Sequence, residues 1–377
     1  MLRSALFSAL AILAFLPFAG AQKGFTCKNG TCEKVIYGTA PAAARLRVNA
    51  HGPVKLQGGT SPNLQYVVTV TVSARTEAEA RRWLQQYAVR VISQGDTTVL
   101  TAPNGPVVAA VLLKTPRLTG VEISTSDGAV EADGVDGPLE VDTGAGALTI
   151  DGIAGDCKLA TGGGDVHVGK IGGSLRCTTG AGHITVGRVK GEAVLETIGG
   201  DIVAKETGGQ IHATTGGGGV HIGTAGGPVT ATSGGGEIIV EKANGIATVR
   251  NMAGPVQVWS SAGVRCDSGS GGIHVSNISG PMRVSTSWGS IVANLLGSRL
   301  GESYLATGNG DITVVIPSNV GVTIQAQNNL RIVSDFREIA IRRQGPQLIA
   351  EGPLNGGGPL LQISGLGGTI FLKRQAK

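Results

Sequence analysis

The feature that most constrains this chain is a period. A Thr or Ser opens a Gly-rich turn at Thr125, Thr143, Thr161, Thr179, Thr197, Thr215 and Ser233. Asn251 takes the next place, and Ser268, Thr286 and Thr307 continue the series. The first eight marks are 18 residues apart without exception, and the later steps are 17, 18 and 21. A fixed period of this length means a solenoid, whose repeats bury their apolar faces only by stacking on one another. Five and seven residues after the marks stand pairs such as Leu148/Ile150, Val166/Val168, Ile184/Val186 and Val220/Ile222. Four and two residues before them stand Leu139/Val141, Cys157/Leu159, Leu175/Cys177 and Val264/Cys266. Each pair alternates with mostly polar residues, the periodicity of a strand with one buried face. A further apolar position recurs at one corner: Val135, Ile153, Ile171, Val189 and Ile278.

The expected fold is therefore all-β, a parallel β-solenoid of about ten 18-residue coils over residues 123–315, with strands about 4.8 Å apart and a rod about 50 Å long. A strict left-handed hexapeptide helix would need apolar residues every six positions, which this pattern does not supply, so the winding is expected to be right-handed. The Thr and Ser marks should form a hydroxyl ladder that satisfies the corner backbone. Glycine, 62 of 377 residues, is expected at corners that need positive φ. Gly at every third position is absent, which excludes collagen, and 41% hydrophobic residues are too many for a disordered chain.

The ends break the period. Residues 45–122 read as an α/β cap: strands at 45–49, 54–57 and 64–75, a helix opened by the capping box Thr76-Glu77-Ala78-Glu79, then strands at 89–93 and 97–101. Residues 316–377 read as a C-terminal β cap. Such caps protect solenoid edges from pairing with other chains. Residues 1–21 read as a secretory signal peptide: Arg3, an apolar run from Ala5 to Phe18, and the cleavage signal Ala19-Gly20-Ala21. Export to the periplasm, outer surface or medium permits disulfides. Cys27 and Cys32 flank an Asn-Gly turn in segment 22–44 and are expected to be bridged. Cys157, Cys177 and Cys266 fall in core columns and read as buried free thiols. No other stretch is long and apolar enough for a transmembrane span.

The units Thr161-Gly162-Gly163-Gly164-Asp165-Val166-His167-Val168 and Thr307-Gly308-Asn309-Gly310-Asp311-Ile312-Thr313-Val314, with Ser334-Asp335-Phe336 and Gly356-Gly357-Gly358-Pro359, carry a resemblance. Over about residues 40–374 the chain resembles the bacterial putative-adhesin family of β-strand-repeat proteins, a domain of unknown function. The resemblance implies the solenoid fold and a role in adhesion. It carries over no catalytic motif.

Strings that imitate active sites fall to the repeat. Cys266-Asp267-Ser268-Gly269 looks like a protease nucleophile region, but Ser268 occupies a mark and no partner His is specified. The run Gly216–Gly219 leads into a strand, so it lacks the helix N-terminus of a phosphate loop. His167, His221 and His274 share an outward column three coils apart, about 14 Å, too far to share a metal. Asp165, Asp201 and Asp311 form no regular calcium ladder. Neither a metal nor a cofactor is expected. A formal charge of +5 is mild for this length, and nucleic acid is not an expected partner.

Binding surfaces remain. Lys158, Arg176, Arg265 and Arg283 share one outward column, which reads as a solvated, aggregation-blocking face or as a contact with anionic envelope polymers. Trp259, Trp288 and Tyr304 either stack on sugars or pack against the C-terminal cap. The leading expectation is a non-enzymatic exported rod that presents its surface for adhesion or envelope organisation, to an envelope polysaccharide or a surface protein. The alternatives are a carbohydrate-binding or carbohydrate-active β-helix protein and a self-assembling envelope scaffold.

Overall fold

A computed structural model describes residues 26–28, 31–41, 43–296 and 300–375. The signal peptide expected at 1–21 and the Asn29-Gly30 turn lie outside the described residues. The chain is a parallel β-solenoid of about 11 turns, 63% strand and 3% helix. Each regular coil contributes two strands, one ending on the mark and one following it. The mark strands, among them Leu139–Thr143, Cys157–Thr161, Leu175–Thr179 and Ala193–Thr197, stack in parallel with Leu139 opposite Cys157, Cys157 opposite Leu175 and Leu175 opposite Ala193. The following strands, among them Leu148–Ile153, Val166–Ile171 and Ile184–Val189, form a second parallel ladder. Both alternate buried and outward residues, and the third apolar position is buried at Val135, Ile153, Ile171, Val189 and Ile278. Burying each Leu, Ile or Val contributes about 1.5–3 kcal/mol, so the interior ladders are the main cohesive force along the rod.

The corners explain the Thr-Gly-x-Gly spacing. From Thr143 to Ser233, each mark hydroxyl donates to a glycine carbonyl of the preceding coil at 2.8–3.0 Å. It also accepts the amide three residues ahead at 3.0–3.3 Å. Two backbone groups that neither strand ladder satisfies are thereby paired. The role expected of the corner glycines needs correction. In the regular coils between Thr143 and Gly236 only Gly152 has positive φ. Glycine is required instead by close approach. A Cβ on Gly218 would sit 2.2 Å from the carbonyl oxygen of Gly200, whereas one on Gly217 would meet nothing within 4 Å.

Both ends depart from chain order. At the N-terminal end, Arg45–Ala50 and Val54–Gln57 make a full coil that pairs with Gly120–Thr125 and Val130–Val135. On its other side lie Thr97–Thr101 and Val108–Lys114. The cap thus supplies two coils in the register of the rod, and the earlier in sequence is the inner one. Antiparallel strands close the end: Arg90–Gln94 on one ladder, Leu64–Ser73 and then Thr31–Ala40 on the other. The helix Glu77–Gln86 buries Ala80 and Leu84, and Thr76 caps it by accepting the amide of Glu79. Cys27 and Cys32 are joined by a disulfide across paired strands (S–S 2.10 Å).

The C-terminal end repeats this arrangement in reverse. Leu360–Gly367 and Thr369–Arg374 stack directly on Ser303–Asn309 and Ile312–Ile316. The earlier segments Val322–Asn328 and Arg331–Ser334 lie outside them. Gln347–Leu354 and Ala340–Gln344 then close the edge in antiparallel fashion, and buried Phe336 and Ile339 close the core.

Candidate functional site

The register divides the sequence candidates into two stations on the outward face of the mark-strand ladder. One outward column runs Arg47, Glu122, Glu140, Lys158, Arg176, Val194, His212, Thr230, Thr248, Arg265, Arg283, Tyr304, Gln362 and Gln325. At its N-terminal station a shallow groove of about 510 Å³ is lined by Arg45, Arg47, Glu122, Glu140, Lys158 and Arg176, among others. Its charges are mostly cancelled. Arg47 pairs with Glu122 at 2.7 Å, and Lys158 pairs with Glu140 at 2.5 Å. The Glu140 carboxylate also holds the Lys158 ammonium pKa above its ordinary value.

The C-terminal station is different. Arg265, Arg283 and Tyr304 stand on three consecutive strands, and the Arg283 guanidinium lies 5.8 Å from the Tyr304 ring centroid. Arg250 lies on the same face, one strand before Arg265 and in the adjacent outward column with Asp267 and Ser285. Asp267 accepts a hydrogen bond from Ser285 Oγ at 2.6 Å. Among the described residues, no carboxylate forms an ion pair with Arg250, Arg265 or Arg283. Beyond Tyr304 the face becomes an amide strip, with Gln362 donating to Gln325 and Gln327 donating to Ser364, each at 3.3 Å.

The tryptophans do not join this face. Trp259 follows Val256–Val258 on the other ladder and leans on His274 with ring centroids 4.9 Å apart. His274 is also bonded to Asn294 at 3.0 Å, and partial burial lowers its pKa. Trp288 ends its strand at the Gly corner and is 65% exposed. Its ring is turned outward rather than packed into the core.

The other imitations of chemistry resolve into structure. Ser268 Oγ is buried without a hydrogen-bond partner. Asp165, Asp201 and Asp311 each accept a corner amide of the next coil, from His183, Gly219 and Thr369 at 2.7–2.8 Å. Cys157, Cys177 and Cys266 are free and buried, and burial pushes each thiol up to about 12. No cluster of three or more His, Cys, Asp or Glu able to hold a metal occurs among the described residues. No helix among them is long and apolar enough to cross a membrane. Arg250, Gln362 and Gln325 escaped the sequence reading. Arg250 sits one outward column away from the candidates, and the glutamines reach the face through strands that dock out of chain order.

No family model matches the chain, and no curated protein sequence matches it. Among solved structures, the chain is similar to one described as a "putative cell adhesion protein" from Clostridium sporogenes ATCC 15579. That similarity has 8% identity and a TM-score of 0.20, covering 91% of this chain and 100% of the other. It is also similar to a "putative adhesin" from Bacteroides fragilis NCTC 9343, with 11% identity and a TM-score of 0.27, covering 91% of this chain and 97% of the other.

Proposed function

We propose that the protein is an exported, non-enzymatic rod that works by presenting its outward mark-strand face for adhesion to cell-envelope material. One observation carries the reading. The interior is filled by aliphatic ladders and the corners by backbone-directed hydroxyls, so the rod's free chemistry is on its outward strand faces. The mark-strand face carries a run of three arginines, Arg250, Arg265 and Arg283, without carboxylate partners among the described residues. The Cys27–Cys32 disulfide suits an oxidising compartment outside the cytoplasm.

The test immobilises residues 22–377 on beads and measures retention of bacterial cells and envelope fragments. Saturable retention that soluble rod competes away supports the reading. Absence of retention from every cell and envelope preparation overturns it. Shortening of any polysaccharide during the incubation would replace it with an enzymatic function. Sequencing the N-terminus of protein recovered outside the cytoplasm tests export, with Gln22 as the expected first residue.

A further inference from the structure

We propose that the C-terminal station is a binding strip for a linear acidic polysaccharide lying along the rod axis, a ligand assignment that rests on the presenting-rod reading. Three features converge on it. First, Arg250, Arg265 and Arg283 put three guanidiniums on consecutive strands, and the one carboxylate in their own two columns on those strands, Asp267, is already held by Ser285. Elsewhere in the chain Arg47, Lys55, Lys158 and Arg188 have carboxylate partners; Arg176 has no ion pair among the described residues, but it stands singly between Lys158 and Val194. Arginine also offers a planar fork of donors that matches a carboxylate or sulfate. These forks are exposed, and among the described residues no carboxylate pairs with them.

Second, the strip continues with the groups that sugars use. Tyr304 gives a half-buried ring beside Arg283. Gln362, Gln325, Gln327 and Ser364 follow with amide and hydroxyl groups, each able to donate and accept.

Third, the spacing fits a polymer rather than a small anion. Equivalent side chains recur about every 4.8 Å along the axis, so Arg265 to Gln325 spans about 19 Å. The rise of one sugar ring in an extended polysaccharide is close to one strand spacing. A uronic acid chain can therefore offer its carboxylates and hydroxyls in step with the coils. The face is outward strand surface, which suits a chain lying on it. Trp259 and Trp288, on the other ladder and at the corner, take no part.

The experiment titrates the chain 22–377 with oligogalacturonates and with their fully methyl-esterified counterparts, which keep the sugar and lose the charge. Calorimetry reads the affinity. Binding of the acidic form is expected, at least tenfold tighter than the ester and weaker with added salt. Arg265→Ala with Arg283→Ala should weaken it at least tenfold, and Tyr304→Ala severalfold. Arg176→Ala, at the other station, should leave it unchanged. These side chains point outward, so unfolding temperatures should match the parent.

No binding of the acidic oligomers, equal binding of the ester, or equal loss in Arg176→Ala would each overturn the proposal. Tighter binding of a single-stranded DNA of equal charge would overturn it in favour of a general polyanion surface. Bead retention separates the two readings. If the double variant still retains envelope fragments like the parent, the glycan strip fails while the presenting rod stands.

Discussion

At the scale of single residues the ladder of marks makes sharp distinctions. Thr179 donates to Gly164 and accepts from Gly182, so Thr179→Val keeps the shape and leaves two backbone groups unpaired. A loss of about 2–4 kcal/mol is expected, read as a lowered urea midpoint. Ser268→Ala removes a buried hydroxyl that has no partner, so a change within about 0.5 kcal/mol is expected. The cause lies in Asn251, whose amide donates both to Gly236 of the coil before and to Gly254 of its own. In that shortened coil the carbonyl that the next mark would use is already engaged. Asn328 repeats the bridge to Gly368 and Arg331, beside a mark position occupied by Gly365.

The buried thiols give a pH prediction on the same scale. Cys157, Cys177 and Cys266 have folded pKa values of about 12, against about 8.5 in an unfolded chain. The folded state therefore holds protons that the unfolded state releases as pH rises. Stability from this source is complete below about pH 8.5 and falls progressively towards pH 12. The paired variant Cys177→Ala with Cys266→Ala should show a shallower alkaline decline of the urea midpoint than the parent. An identical slope would remove the thiols as the cause.

At the scale of elements, a coil is specified by corner geometry as much as by strand pattern. Gly218→Ala should destabilise the rod strongly and Gly217→Ala should not, although the two are adjacent, because only the first places a Cβ against the preceding backbone. Thermal unfolding of the pair reads the difference directly, and equal melting temperatures would refute the close-approach explanation. The strands, their buried columns and the hydroxyl ladder were legible in the chain because each is written once per 18 residues. The reason for the corner glycines was not, since a carbonyl from the neighbouring coil leaves no trace in local composition. The end coils extend beyond the stretch where the period is visible, for a related reason. The segment 45–57 carries Ala50 where a mark would stand, and its partners lie on both sides of a long excursion through the helix Glu77–Gln86. Pairing at such separation has no local signature. The candidate strip was half legible: Arg265, Arg283 and Tyr304 follow from the period, whereas Gln362 and Gln325 depend on the out-of-order docking of Leu360–Gly367 and Val322–Asn328.

For the whole molecule, the decisive issue is whether the two ends are closed. Any open coil end is a row of unpaired backbone groups that a second rod could extend. Here the terminal coils are threaded inside an earlier or later one and then covered by antiparallel strands. The last of these, Ala340–Gln344, is exposed along its length and carries Arg342 and Arg343, with Arg342 paired to Glu351 at 2.9 Å. Charge on an edge strand blocks sheet extension because a docking strand would have to desolvate it. The rod is therefore expected to remain monomeric at high concentration, measured by sedimentation velocity. Concentration-dependent polymers of the parent chain would instead favour a self-assembling scaffold. Replacing Arg342 and Arg343 together by Val joins them to Ile341 as an apolar edge. That variant should form higher-order species while the parent does not. A second cut tests the threading itself. A chain ending at Leu354 lacks the coil 360–374, the layer between Ser303–Ile316 and Val322–Ser334. Two facing edges open at once, so amide protection should collapse from residue 303 onward while Cys157–Thr215 stays protected. Retained protection across 303–334 would mean that the outer coil can dock directly on the regular rod, and that the inserted coil is dispensable for closing it.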